Sequence, residues 1–153
     1  MHISYIIIPC ITLATMLTGS YFTWHGMDWY NTLKHPSFTP PSWVFSFVWT
    51  ILYTMIAYSA VHFWNTPSHT WHKWTVSFLF IFNAILNVTW CYLFFYKHMI
   101  GLSLIEIIGL NLTTISLIIL LYKNTLLSSV LLIPYALWGS FATILTFAFW
   151  MIN

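Results

Sequence analysis

Asn83, Asn87, Trp90 and Phe94 recur at i, i+4, i+7 and i+11, which sets two carboxamides and two aromatic rings along one face of a helix. Phe45, Trp49, Tyr53 and Ile56 form a similar row, and so do Trp138, Ala142, Leu145 and Phe149. Three such rows can line one aromatic cavity. Indole and phenyl faces would stack on a flat apolar ligand there, and carboxamides would meet its polar edge. The same spacing also describes plain helix packing, in which an asparagine bonds a neighbouring helix for about 0.6 kcal/mol. Periodicity leaves both readings open.

Other reactive side chains are sparse. Glu106 falls inside an apolar run, where an ionised carboxylate costs about 2.5 to 3.5 kcal/mol on insertion scales. It must therefore face other helices. A proton relay would need further ionisable groups beside it, and none accompanies it, so it reads as a carboxyl satisfied by a neighbouring helix. His69 and His72 stand at i, i+3, but they have no cysteine or carboxylate near them in sequence, and no metal site is expected. Cys10 and Cys91 lie apart in apolar stretches and read as inert. The sequence contains no phosphate-binding loop, no dinucleotide glycine pattern and no nucleophile elbow, and no cofactor is implied.

These groups must be positioned by helices in lipid. Of 153 residues, 60% are hydrophobic and only 4% charged. The charged residues are Asp28, Lys34, Lys73, Lys97, Glu106 and Lys123, where a soluble domain carries about a quarter. Scattered lysines with a net charge of +2 give no basic patch for nucleic acid. About 20 apolar residues cross a bilayer as a helix. Such runs fall at about 3–22, 42–64, 74–96, 99–122 and 126–150, which predicts an all-α integral membrane protein, a five-transmembrane-helix bundle. The whole chain reads as a single domain. Residues 23–41, with Pro36, Pro40 and Pro41, read as the one long connection, and the others are short enough to force antiparallel neighbours. Lys73 and Lys123 fall on one side and Lys34 and Lys97 on the other, so the charge bias leaves orientation open. Ten tryptophans exceed what an interfacial belt requires. Trp24, Trp64, Trp71, Trp74 and Trp150 suit that belt, whereas Trp49, Trp90 and Trp138 lie deeper.

Three ordered motifs carry a resemblance. The first runs Trp29-Tyr30, Leu33-Lys34-His35-Pro36, Pro40-Pro41-Ser42-Trp43, Val48-Trp49 and Leu52-Tyr53. The second is Asn87-Val88-Thr89-Trp90 with Leu93-Phe94-Phe95. The third is Pro134-Tyr135 with Trp138 and Phe141-Ala142-Thr143. Together they resemble the TspO/MBR family of tryptophan-rich sensory proteins and translocator proteins over nearly the whole chain.

The resemblance implies a five-helix bundle, commonly a homodimer, with a ligand cavity capped by the first connection. Family ligands include porphyrins such as protoporphyrin IX, and sterols in the animal members. Carried over by motif, the pocket would use Trp49, Asn83, Asn87, Trp138 and Ala142 under a lid bearing Trp29 and Tyr30. Phe45, Tyr53, Trp90, Phe94 and Leu145 join it from the rows above. A membrane receptor or carrier for porphyrins and related hydrophobic molecules is the function implied, with a regulatory or stress-sensing role. The alternative is an enzyme that degrades protoporphyrin oxidatively in light, with Trp49 and Trp138 as redox-active neighbours. This chain departs from the family at Thr146, where asparagine is usual, and at Phe38, where tryptophan is usual. Phe147 and Met151 replace the tyrosine and the basic residue of the animal sterol pattern, itself a weak motif. The small size and lack of a targeting extension suggest a bacterial envelope protein, with the inner membrane favoured.

Overall fold

The computed structural model describes residues 3–67 and 69–153, and every regular element among them is helical. Helix α1 spans Ser4–Thr32, α2 Ser42–Asn65, α3 Thr70–Cys91, α4 Ile100–Tyr122 and α5 Leu126–Ile152. A π-helical turn, Tyr92–Tyr96, extends α3. All five are long and apolar enough to cross a membrane. The shortest, α3 without its extension, has 22 residues and so reaches about 33 Å, against a hydrocarbon core of about 30 Å. This is an integral multi-pass membrane bundle. One end carries the 33–41 connection, residues 97–99 and Asn153, and is called the loop end below; α1 begins at the far end.

Lipid as solvent explains which residues face where. Ile105, Ile119, Leu137 and Ile144 point outward, while Ser59, Ser103, Ser128, Ser129 and Thr146 are buried. Without a hydrophobic drive between helices in lipid, small residues and interhelical hydrogen bonds hold the seams. The α2–α5 seam is an example. The Ser59 hydroxyl donates to the Ser128 carbonyl at 2.8 Å, and the Ser128 hydroxyl donates to the Ser59 carbonyl at 3.0 Å.

Three buried clusters stack along the axis. Phe63, Val76, Leu117, Leu121 and Leu132 fill the far end. Leu52, Ile107, Leu110, Tyr135 and Ala142 occupy the middle, and Phe94, Leu145 and Phe149 the loop end.

One boundary differs from the sequence reading. The long connection does not begin at residue 23: α1 continues to Thr32, and the connection covers only 33–41. Polar residues of this stretch turn their donors and acceptors back onto the helix. The Thr23 hydroxyl donates to the Gly19 carbonyl at 3.0 Å and that of Thr32 to Trp29 at 2.7 Å, and His25 Nδ1 bonds the Tyr21 carbonyl at 2.8 Å. Apolarity ends near Phe22, but nothing breaks the backbone until Pro36 disfavours helix before it. Trp29 and Tyr30 thus sit on the last turn of α1 and not in a loop. This extension lets α1 meet the π-helical turn at very close range. A Cβ on Gly26 would lie 2.1 Å from the Phe95 carbonyl oxygen, so only glycine fits there.

Candidate functional site

The polar centre of the bundle is a belt of hydrogen bonds across α2, α3, α4 and α5. The Tyr53 hydroxyl donates to Asn87 Oδ1 at 2.5 Å, and Asn87 Nδ2 donates to the Tyr135 hydroxyl at 3.2 Å. Tyr135 in turn donates to Asn83 Oδ1 at 3.0 Å. Asn83 Nδ2 reaches Thr113 Oγ1 at 2.8 Å, Thr114 Oγ1 at 2.9 Å and the Leu110 carbonyl at 3.2 Å. Both asparagines are buried, and each carboxamide is engaged on both its oxygen and its nitrogen. In lipid this is what the helical spacing of residues 83 and 87 requires, because a carboxamide without partners there is costly.

Aromatic side chains fill the space between the belt and the loop end. Trp49 packs against Tyr53 at 5.4 Å and edge-on to Tyr135 at 6.0 Å. Trp90 stacks on Phe94 with centroids 5.2 Å apart and planes 20° from parallel. Trp138 meets Phe45 edge-on at 5.7 Å and lies 5.3 Å from Phe141. Trp49, Trp90 and Trp138 all pack on the middle cluster, which includes Ala142. Phe45, Trp29 and Tyr30 pack with Phe94 and Leu145 on the cluster at the loop end.

The twelve side chains singled out from the sequence therefore form one continuous region, three in the belt or on its edge and nine in the aromatic packing above it. Toward the loop end this region is filled by ring-on-ring packing. Phe94, Leu145 and Phe149 are buried within it.

The lid is anchored. Asn153 Oδ1 accepts from the Lys34 N–H at 2.9 Å, and Asn153 Nδ2 donates to the Lys34 carbonyl at 3.1 Å. Tyr30 packs edge-on against His35 at 4.7 Å, and Phe38 lies edge-on to Phe141 at 6.5 Å. Trp29 stacks on His98 at 4.1 Å. His98 itself holds a positive φ of 58° where the chain leaves the π-helical turn.

Three polar groups of the interior stand apart from these networks. Trp90 Nε1, Trp138 Nε1 and both oxygens of Glu106 are buried without a hydrogen-bond partner among the described residues. Glu106 thus faces the bundle, as its cost in lipid demands. It does not, however, find the interhelical partner expected from the sequence. It lies on α4, next in sequence to Ile107 of the middle cluster. Such unpaired buried groups are rare in native structures.

Tyr135 was missed as a site residue although it is the hub of the belt. The signal was present: Tyr135, Trp138, Ala142, Leu145 and Phe149 are one helical row, and the row of α5 begins a turn earlier than Trp138. A second feature had no sequence signal. On the far side of the belt, an apolar cavity of about 300 Å³ lies among α1, α2 and α3, reaching Tyr53, Asn83, Asn87 and Tyr135 at its floor. Its α1 wall, including Ile7, Ile8 and Ile11, is indistinguishable by residue type from a lipid-facing stretch.

Comparison with known proteins places this arrangement. The sequence model of the TspO/MBR family matches residues 6–151. The chain is 34% identical over 142 residues to a tryptophan-rich protein TspO of Archaeoglobus fulgidus, covering 92% of this chain and 91% of that protein. It is 31% identical over 150 residues to the protein of that name in Bacillus cereus, covering 98% and 97% of the two chains. It is also 31% identical over 147 residues to the human translocator protein, covering 93% and 87%. With the match running across nearly all five helices and the three motifs, the chain belongs to the TspO/MBR family.

Proposed function

We propose that this protein is a membrane receptor or carrier that binds porphyrins such as protoporphyrin IX, and related hydrophobic molecules, in the aromatic half of its bundle. The observation that carries the reading is the pair of buried, unpartnered indole N–H groups of Trp90 and Trp138 on the middle cluster. A porphyrin supplies what they lack. Its propionates and ring nitrogens accept hydrogen bonds, and its flat macrocycle stacks on Trp49, Trp90 and Phe94 in place of the contacts these rings make with one another. The asparagines then shape the floor of the site, because their own hydrogen bonds are already used. Entry proceeds at the loop end, where two hydrogen bonds from one side chain, Asn153, hold the connection closed. The family names, translocator protein among them, agree with a carrier. We take the protein to act as a homodimer in a bacterial inner membrane.

Titration of the purified protein with protoporphyrin IX, in darkness and under illumination, tests this. Saturable quenching of tryptophan emission with a Soret shift is expected, and Trp90→Phe or Trp138→Phe should weaken it several-fold while preserving ring packing. Equal binding by both variants and the parent would move the site elsewhere. Bleaching in light with a new product would favour the degradative reading, in which Trp49 and Trp138 adjoin the bound macrocycle. Chemical crosslinking in native membranes tests the dimer.

A further inference from the structure

We propose that the far-end cavity is a second, separate binding site, built for a single-chain anionic amphiphile: the hydrocarbon tail lies inside and the carboxylate sits at Lys73. The cavity belongs to the half of the bundle that the porphyrin reading leaves unused, and it stands whether or not that reading holds.

Shape suits an extended chain. The cavity runs along α3 from Trp74 to Asn87, thirteen helical rises or about 20 Å. An extended hydrocarbon chain follows such a course along the three lining helices.

Chemistry selects the tail for the interior. Ile7, Ile8, Ile11, Ile56, Phe63 and Phe80 make the walls, and no lining side chain among the described residues carries a charge. The floor offers nothing to an ionised group either. Tyr53, Asn83, Asn87 and Tyr135 are bonded to one another across it. A carboxylate at the floor would have to break the belt and give up its hydration as well. The tail therefore leads.

Charge at the mouth selects the headgroup. Trp64 and Trp74 line the cavity at its far end, and Lys73 is bonded to the first of them. Its ammonium donates to the Trp64 carbonyl at 3.0 Å and stands 5.9 Å over the Trp64 ring. The side chain is thus held at the rim instead of extending freely into water, and only some of its donors are used there. The two walls part at this end for a local reason. Helices α1 and α3 are drawn together toward the loop end, where a Cβ on Gly19 would lie 3.4 Å from Cys91 Sγ and one on Gly26 would strike Phe95. Toward the far end the cavity separates them, and exposed Ile3, Ile7, Ile11 and Ile81 border it, so a chain can enter sideways from the bilayer.

The test is photolabelling of the full chain in phosphatidylcholine vesicles, at alkaline pH, with dodecanoate carrying a diazirine at its methyl end. Insertion is expected on residues of α1, α2 and α3 that line the cavity, Ala84 and Ile11 among them. Excess dodecanoate should suppress it at least tenfold, and dodecanol at the same concentration less than threefold. Lys73→Gln should cut the yield several-fold, and Ala84→Phe, which fills the passage, should abolish it in protein whose helicity is unchanged. Label spread at similar yield over the lipid-facing residues Ile105, Ile119 and Ile144 would overturn the proposal. So would dodecanol competing as well as dodecanoate. That comparison is made on the parent protein and decides the matter even where Ala84→Phe fails to fold.

Discussion

Replacing Tyr135 by phenylalanine removes one oxygen atom from the middle of the bundle and leaves its volume almost unchanged, so the polar contribution of the belt can be measured by itself. The hydroxyl takes part in two hydrogen bonds, accepting from Asn87 at 3.2 Å and donating to Asn83 at 3.0 Å. At the average for interhelical hydrogen bonds in membranes, about 0.6 kcal/mol each, the two together contribute about 1.2 kcal/mol. A second effect acts in the same direction. Asn83 and Asn87 are each only 5% exposed, so the Asn83 oxygen and an Asn87 N–H are stranded without water, and an orphaned buried group costs about 1 to 3 kcal/mol. Because relaxation in lipid recovers part of that, a loss of about 1 to 2 kcal/mol is expected for Tyr135→Phe. Unfolding titration in mixed micelles, followed by circular dichroism, reads it. The double variant with Asn83→Leu should lose less than the sum of the two single losses, because the bond they share can be lost only once. A Tyr135→Phe protein as stable as the parent, or strict additivity in that cycle, would show that the belt contributes nothing and that the reasoning from its geometry is wrong.

Four further substitutions probe other positions. Gly26→Ala should destabilise by at least the 1 to 3 kcal/mol typical of overpacking, because the new methyl meets the Phe95 backbone, whereas Gly109→Ala enters open space and should be neutral or stabilising by about 0.5 to 1 kcal/mol through helix propensity; thermal melts of the two separate local space from a general effect of losing glycine. Glu106→Gln should fold and bind porphyrin like the parent, since no described side chain bonds either carboxyl oxygen; loss of binding with intact helicity, seen by titration, would give Glu106 a part in the site. Asn153→Ala should release the 33–41 connection and raise its hydrogen-exchange rate at Lys34 by roughly tenfold, two bonds of about 0.6 kcal/mol being removed; unchanged exchange would mean that ring contacts alone hold it.

Helix number and the inward faces of α2, α3 and α5 were legible because lipid imposes two demands at once: long apolar runs, and polar side chains turned toward protein. Asn83 and Asn87 satisfy the second demand, and Phe94 follows them onto the same side. The end of α1 was not legible from hydropathy. Thr23, His25 and Thr32 are polar to a hydropathy scale and yet compatible with a helix that protrudes from the bilayer, since each bonds a carbonyl of the preceding turn. Proline at 36 was the better guide. Nor could spacing tell a hollow from a packed region. Trp90 on Phe94 and Trp138 on Phe45 satisfy the same periodicity as a cavity wall would, and the hollow on the other side of Asn87 is walled by isoleucines that carry no pattern of their own. Glu106 was correctly turned inward, but a single carboxyl in a sequence gives no information on whether a donor awaits it.

The belt also sets a limit on permeation. Any molecule moving lengthwise from the loop end to the far end must part Tyr53 from Asn87, Asn87 from Tyr135 and Tyr135 from Asn83. Three bonds at the membrane average sum to about 1.8 kcal/mol, which slows passage by roughly 20-fold. A barrier of that size is a gate that thermal motion opens readily. Under the proposed carrier function, the ring contacts of Trp49 and Trp138 add to that barrier, and a cargo that replaced those contacts with its own ring would supply part of the opening force.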